Sequence, residues 1–236
     1  MMATSSFYIF RGDKNMDKKK QMSDTMRLGV LLAIAGGFLD AYTYLCRGGV
    51  FANAQTGNMV LFGIQLVSGE FIKALYYFLP ILSFFVGIIV AEAIKHHFCD
   101  HPKFHWRQIV LLIEVFALVI VAFIPQGQLD MLCNIMISFV CSLQVESFRK
   151  FHGMPYASTM CTGNLRSATE HLYNYRMTKD KKTLTKSLQY YIIIAFFIGG
   201  GALGVLFTHS ISIQAILLPA LLLFICFIFM FIEQAG

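Results

Sequence analysis

Six apolar stretches dominate this 236-residue chain, at 28–46, 74–94, 104–124, 131–148, 187–207 and 211–232. Each approaches or exceeds the roughly 20 residues that an α-helix needs to cross the hydrocarbon core of a bilayer. Hydrophobic residues make up 57% of the chain and charged ones 14%, whereas a soluble domain carries about 25% charged residues. Strand-like alternation, which a barrel wall requires, is scarce. The chain therefore reads as an all-α polytopic membrane protein, multi-pass in the cell membrane, with the lipid bilayer as its first partner.

The net charge of +6 does not point to nucleic acid, because the basic residues sit in loops between apolar stretches, where they set orientation. Residues 1–26 carry Arg11, Lys14, Lys18, Lys19 and Lys20, with Arg27 just beyond. They read as a disordered, cytoplasmic, basic tail with no cleavable signal pattern. The loops 95–107 and 176–186 and the pair Arg149-Lys150 are basic too, whereas 125–130 and 208–210 contain no Lys or Arg. The first group belongs inside and the second outside. The six cysteines have no framework spacing and read as small packing residues.

Within this pattern one motif occurs twice. Asp40 precedes Thr56-Gly57-Asn58, Glu146 precedes Thr162-Gly163-Asn164, and the offset is 106 in each case (146 − 40, 162 − 56). A shared tripeptide alone is weak evidence of duplication, but the acid at the same offset adds to it. Phe84-Phe85-Val86-Gly87 then faces Phe196-Phe197-Ile198-Gly199 at an offset of 112, the extra residues falling in the basic stretch 176–186. The division is a first membrane repeat at 27–124 and a second at 125–236.

Charge then constrains the two motif segments. If 50–68 or 156–175 crossed the membrane, the basic loop after it would fall outside. Treating both as re-entrant half-helices removes the conflict. Six transmembrane helices plus two re-entrant elements result, with three full spans per half and an inverted internal repeat. The alternative is eight crossings.

The residues Gly36-Gly37-Phe38-Leu39-Asp40-Ala41-Tyr42, Phe51-Ala52-Asn53-Ala54-Gln55-Thr56-Gly57-Asn58 and Thr162-Gly163-Asn164-Leu165-Arg166 resemble the YoaK-type family of bacterial membrane proteins. The resemblance covers about 27–232 and implies an integral membrane protein; the family's function is not known. The N-terminal extension departs from the family pattern, so Met16, Met22 and Met26 are alternative starts.

Each candidate has a chemical and a structural reading. A half-helix opening at Thr-Gly-Asn would aim backbone N–H groups and a positive dipole at mid-membrane, where an anion or carboxylate binds. Gln55, Thr56, Gly57, Asn58, Thr162, Gly163, Asn164 and Arg166 are then the substrate-binding residues. Close helix packing through Gly and Thr is the plainer explanation. Asp40 and Glu146 are candidate proton carriers, or a structural carboxylate bonded near Gly48-Gly49, Tyr42 or Tyr44 and an acid paired with Arg149. Arg166 and Glu170 suit an intrahelical pair. Gly36-Gly37 either unwinds its helix or allows close packing. The histidine-rich loop 96–105 lacks the paired spacing of a zinc site, and Trp106 reads as an interface anchor.

No nucleophile signature, P-loop or dinucleotide fingerprint is present, so neither an enzyme nor a cofactor is expected. The favoured function is a secondary transporter or channel for a small polar solute, with anions included, proton-coupled through Asp40 and Glu146. The alternatives are an intramembrane enzyme on a lipid-like substrate, using Asp40, Glu146, Glu114 and His171, and a non-catalytic scaffold. A homodimer suits a protein of this size, but no interface is indicated.

Overall fold

The computed structural model describes residues 25–98, 105–151, 154–159 and 161–235. The basic tail up to residue 24 and the centre of the histidine-rich loop lie outside the described residues. The order is α1 (Met26–Cys46), α2 (Gln55–Val67), α3 (Phe71–Phe98), α4 (Trp106–Ala122), α5 (Asp130–Ser147), a hairpin of β1 (Lys150–Phe151) and β2 (Met154–Pro155), α6 (Cys161–Thr178), α7 (Lys181–Ile211), a 3-10 turn (Ser212–Ile216) and α8 (Leu217–Ala235). The all-α expectation holds.

The spans Met26–Cys46, Phe71–Phe98 and Lys181–Met230 are long and apolar enough to cross a membrane. The last runs from α7 through the 3-10 turn into α8. α4 has 17 residues, about 25 Å at 1.5 Å per residue. α5 is continuous but carries Asp130 at its first position, then Asn134 and Gln144, all three buried.

Side-chain contacts give each helix its direction. Gly29 faces Ile193, Gly37 faces Phe197, and Gly204 faces Phe38 and Ala41, so α1 and α7 run parallel. Ser83 Oγ donates to the Ile135 carbonyl, and Gly87 lies against Phe139 and Ser142, so α3 and α5 also run parallel. Arg47, just past α1, pairs with Asp130 at the start of α5, and Gln144 near the end of α5 donates to the Leu32 carbonyl; these two helices are antiparallel. Arg107 donates to Ser147 at the end of α5, and Arg47 to Val121 at the end of α4. Tyr42 Oη, near the end of α1, donates to the Ile213 carbonyl, so α8 starts at that end and packs back along α1 and α4. Thus α1, α4 and α7 point one way, and α3, α5 and α8 the other. Gly36-Gly37 leaves α1 helical and lets α7 approach: a Cβ on Gly37 would strike the Phe197 carbonyl.

The main core lies among α1, α4, α5 and α8, around Leu32, Phe38, Leu118, Ile137 and Leu223. The flanks of α3, α7 and α8 leave Phe85, Ile89, Ile198, Leu206 and Leu221 exposed, as lipid-facing helices do. Arg47 ties the α1 end of the bundle together. It is fully buried, pairs with Asp130 at 2.8 Å, and donates to Tyr42 Oη and to the carbonyls of Val121, Ile124 and Pro125. At the other end His105 Nδ1 accepts from the Arg107 N–H to cap α4. Trp106 is 8% exposed and packs with Val110 and Leu143; it is a core residue in this bundle and not a free anchor.

Candidate functional site

Both motif segments begin with an extended stretch that runs back into the bundle. After α1 the chain turns at Gly48 and Gly49, whose φ angles of +80° and +75° suit glycine, and then descends along α1. Asn53 N–H donates to Asp40 Oδ1 at 2.7 Å, and Asn53 Nδ2 donates to the Gly36 carbonyl at 3.1 Å. Gly36 is ten residues from either end of α1, about 15 Å at 1.5 Å per residue. From this depth α2 climbs back to Ser68, and Gly69, at φ +74°, reverses the chain into α3.

The second segment does the same from the opposite end. After α5 and the β1–β2 hairpin, Ser158 and Thr159 reach the same Gly36: the Thr159 methyl and the Ser158 carbonyl lie 2.8 and 3.3 Å from where its Cβ would be. Gln144 Nε2 holds Ser158 Oγ at 2.9 Å. α6 then returns to a turn at Lys179, whose φ is +58°, and α7 begins at an Asp180 cap. The Lys182 amide and the Thr183 hydroxyl hold the Asp180 carboxyl below the usual carboxylate range.

Asn58 and Asn164 do one job in two places. Asn58 Oδ1 accepts from the Phe51 N–H at 3.2 Å and its Nδ2 donates to the Phe51 carbonyl at 2.7 Å. Asn164 makes the same two bonds, at 3.2 and 2.7 Å, to Ala157. Each amide closes the loop seven residues upstream. Gln55 is similarly occupied, donating to Ala52 and accepting from Asn58. Gly57 touches Phe51, while Gly163 has nothing within 4 Å; neither glycine serves as a helix-packing contact.

Between the starts of α2 and α6 lies a cavity of about 950 Å³. Asp40, Gln55, Thr56, Glu146, Thr162, Gly163 and Asn164 line it, as do Asn53, Arg149, Tyr156, Thr159 and Phe197. The two acids and both motif starts therefore meet in one space. Gly57 and Asn58 stand behind its wall, and Arg166 lines a separate surface depression with Glu170 and Tyr173. Among the described residues Arg166 and Glu170 form no ion pair.

The two acids are held differently. Asp40 is 8% exposed and caps the loop leading to α2, at Asn53 and not at Gly48-Gly49 or the tyrosines. Glu146 accepts from Arg149 at 2.9 Å near the more basic end of the bundle. Glu114 is fully enclosed in α4, outside the cavity wall. His171 stacks on Tyr190, their rings 6.0 Å apart. Asn53 and Thr159, which the motif reading passed over, carry the one available signal: they too are 106 residues apart.

The sequence is similar to the UPF0700 transmembrane protein YoaK of Bacillus subtilis (strain 168), at 26% identity over 182 residues, covering 72% of this chain and 78% of the relative. No solved structure matches. Residues 28–229 match the family model described as a protein of unknown function, DUF1275, and the chain belongs to that family of membrane proteins.

Proposed function

We propose that this protein is a secondary transporter or channel for a small polar solute, and that the central cavity is where the solute binds. The observation that carries this reading is the convergence of two half-helix starts, Asp40 and Glu146 on one cavity at the mid-height of α1. Discontinuous helices whose N-termini meet at mid-membrane supply polar backbone where a bilayer otherwise allows none.

In this reading α1, α3, α4, α5, α7 and α8 are six full spans, and α2 and α6 are re-entrant from opposite sides. Several observations support an inverted repeat: α1 lies parallel to α7 as α5 does to α3, and Asn58 and Asn164 repeat the same two bonds. The charge distribution supports a cytoplasmic N-terminus. Arg27, Lys95, Arg107, Arg149, Lys150 and the α6–α7 turn lie at the end where α1 begins. At the other end, Arg47 is buried in its ion pair and Lys73 sits beside Glu70. Asp40 and Glu146 are the proton-coupling candidates, since both acids face the cavity.

Purified protein in liposomes should pass small polar solutes, and an inward proton gradient should accelerate uptake. Asp40→Asn keeps an acceptor for the Asn53 amide and should abolish the gradient's effect. Equal gradient dependence in Asp40→Asn and wild type would remove Asp40 from coupling.

A further inference from the structure

Asn53 and Thr159 occupy matching places at the tips of the two loops, and each leaves a polar atom unused. Asn53 Oδ1 and Thr159 Oγ1 are buried without a hydrogen-bond partner. The residues are 0% and 3% exposed, and both line the central cavity. Buried polar atoms are almost always paired. Of the seven buried side-chain atoms without a partner among the described residues, these two belong to residues that line the cavity, and a guest there would complete them.

The cavity is also electrically two-ended. The start of α2 already has an acid: Asp40 accepts from Asn53, and the Ala54 N–H faces the same carboxyl. The start of α6 has none in its first turn, and among the described residues no acidic side chain bonds it. An 18-residue helix leaves its first N–H groups without helical partners and concentrates positive potential there. One side of the cavity is therefore rich in acceptors, Asp40 and Asn53 Oδ1. The other is rich in donors, the opening amides of α6 with the hydroxyls of Thr159 and Thr162; Glu146, which lines the same cavity, is already paired with Arg149 at 2.9 Å.

A simple anion would satisfy α6 and leave Asn53 and Asp40 facing negative charge. A simple cation would do the reverse. We infer that the cavity binds a small zwitterion of the amino-acid class, its carboxylate at the start of α6 against Thr159 and its ammonium group against Asn53 and Asp40. This assignment rests on the transport reading and narrows it.

The test uses the full chain in lipid nanodiscs, with ¹⁴C-labelled L-alanine and L-leucine as probes. Propionate, alanine methyl ester, L-lactate and glycerol serve as unlabelled competitors. At least one labelled amino acid should bind, with propionate and the ester competing at least about tenfold more weakly, because each lacks one charge. Thr159→Val removes the hydroxyl at nearly constant shape and should weaken binding about tenfold, with Thr159→Ser restoring it and the melting temperature unchanged in both. Competition by propionate or the ester equal to that of alanine would overturn the assignment without relying on any variant. So would unchanged affinity in a folded Thr159→Val. If no amino acid binds but liposomes pass propionate, lactate or glycerol, and Thr162→Trp blocks that flux, the zwitterion assignment falls and transport stands. If no probe binds or crosses, both fall.

Discussion

Asn58 and Asn164 look like solute ligands in a linear reading, yet each commits both amide atoms to the backbone seven residues earlier. They hold an extended loop whose backbone has no strand or helix partner at that point. Replacing either with Ala strands an N–H and a carbonyl together. Asn58→Ala and Asn164→Ala should each cost about 2 kcal/mol or more, read as a lower melting temperature in nanodiscs. A ligand role would instead weaken binding and leave the melting temperature unchanged. Thr56 and Thr162, both exposed to the cavity, remain the motif side chains free for a solute. Asp40 serves the loop and the cavity at once.

Helix pairing depends on where glycines stand. α1 and α7 run parallel in backbone contact at Gly37, Gly200 and Gly204, and Gly200 sits against the Ile34 carbonyl. Dispersion and close approach, with no water to expel, drive such packing in a bilayer. A Cβ at Gly37 would meet backbone atoms of Phe197, which cannot rotate aside. Gly199, one position from the contact, has nothing within 4 Å. Gly37→Ala should therefore destabilise the fold by at least about 2 kcal/mol, whereas Gly199→Ala should lie within about 1 kcal/mol of wild type and on the stabilising side. Thermal melts of the two variants, measured together, check the α1–α7 register.

For the whole molecule, the proposed re-entrant arrangement of α2 and α6 predicts a sidedness. α2 has 13 residues, about 20 Å at 1.5 Å per residue, short of the roughly 30 Å hydrocarbon core. On a cysteine-free background, Gly49→Cys and Gly69→Cys should both label with an impermeant thiol reagent from outside. Lys150→Cys and Lys179→Cys should label from inside. Labelling of Gly49→Cys and Gly69→Cys from opposite faces would restore the eight-crossing alternative and separate the two loop tips. Arg47, the one fully buried cation among the described residues, lies near the outer end in this arrangement and escapes the orientation rule because Asp130 neutralises it inside the protein.

Membrane character, helical class and the pairing of Asp40 with Glu146 are legible in the chain itself. They follow from the length of apolar runs and from one offset, quantities that need no third dimension. The placement of charge gives the proposed sidedness its basis, since loops are contiguous in sequence. What the linear chain cannot hold is which polar atoms consume one another. Asn58 and Thr56 stand two residues apart, yet one faces the Phe51 backbone and the other faces the cavity. Thr159 carries no motif, and its place in the proposed site arises because folding sets its methyl against Gly36 and buries its hydroxyl without a partner. α1 meets α7, some 160 residues later in the chain, only because the second half returns alongside the first. The gathering of both loop tips at the middle of α1 is a property of that tertiary packing, where desolvation and close approach, and not residue type, decide which groups stay available to a solute.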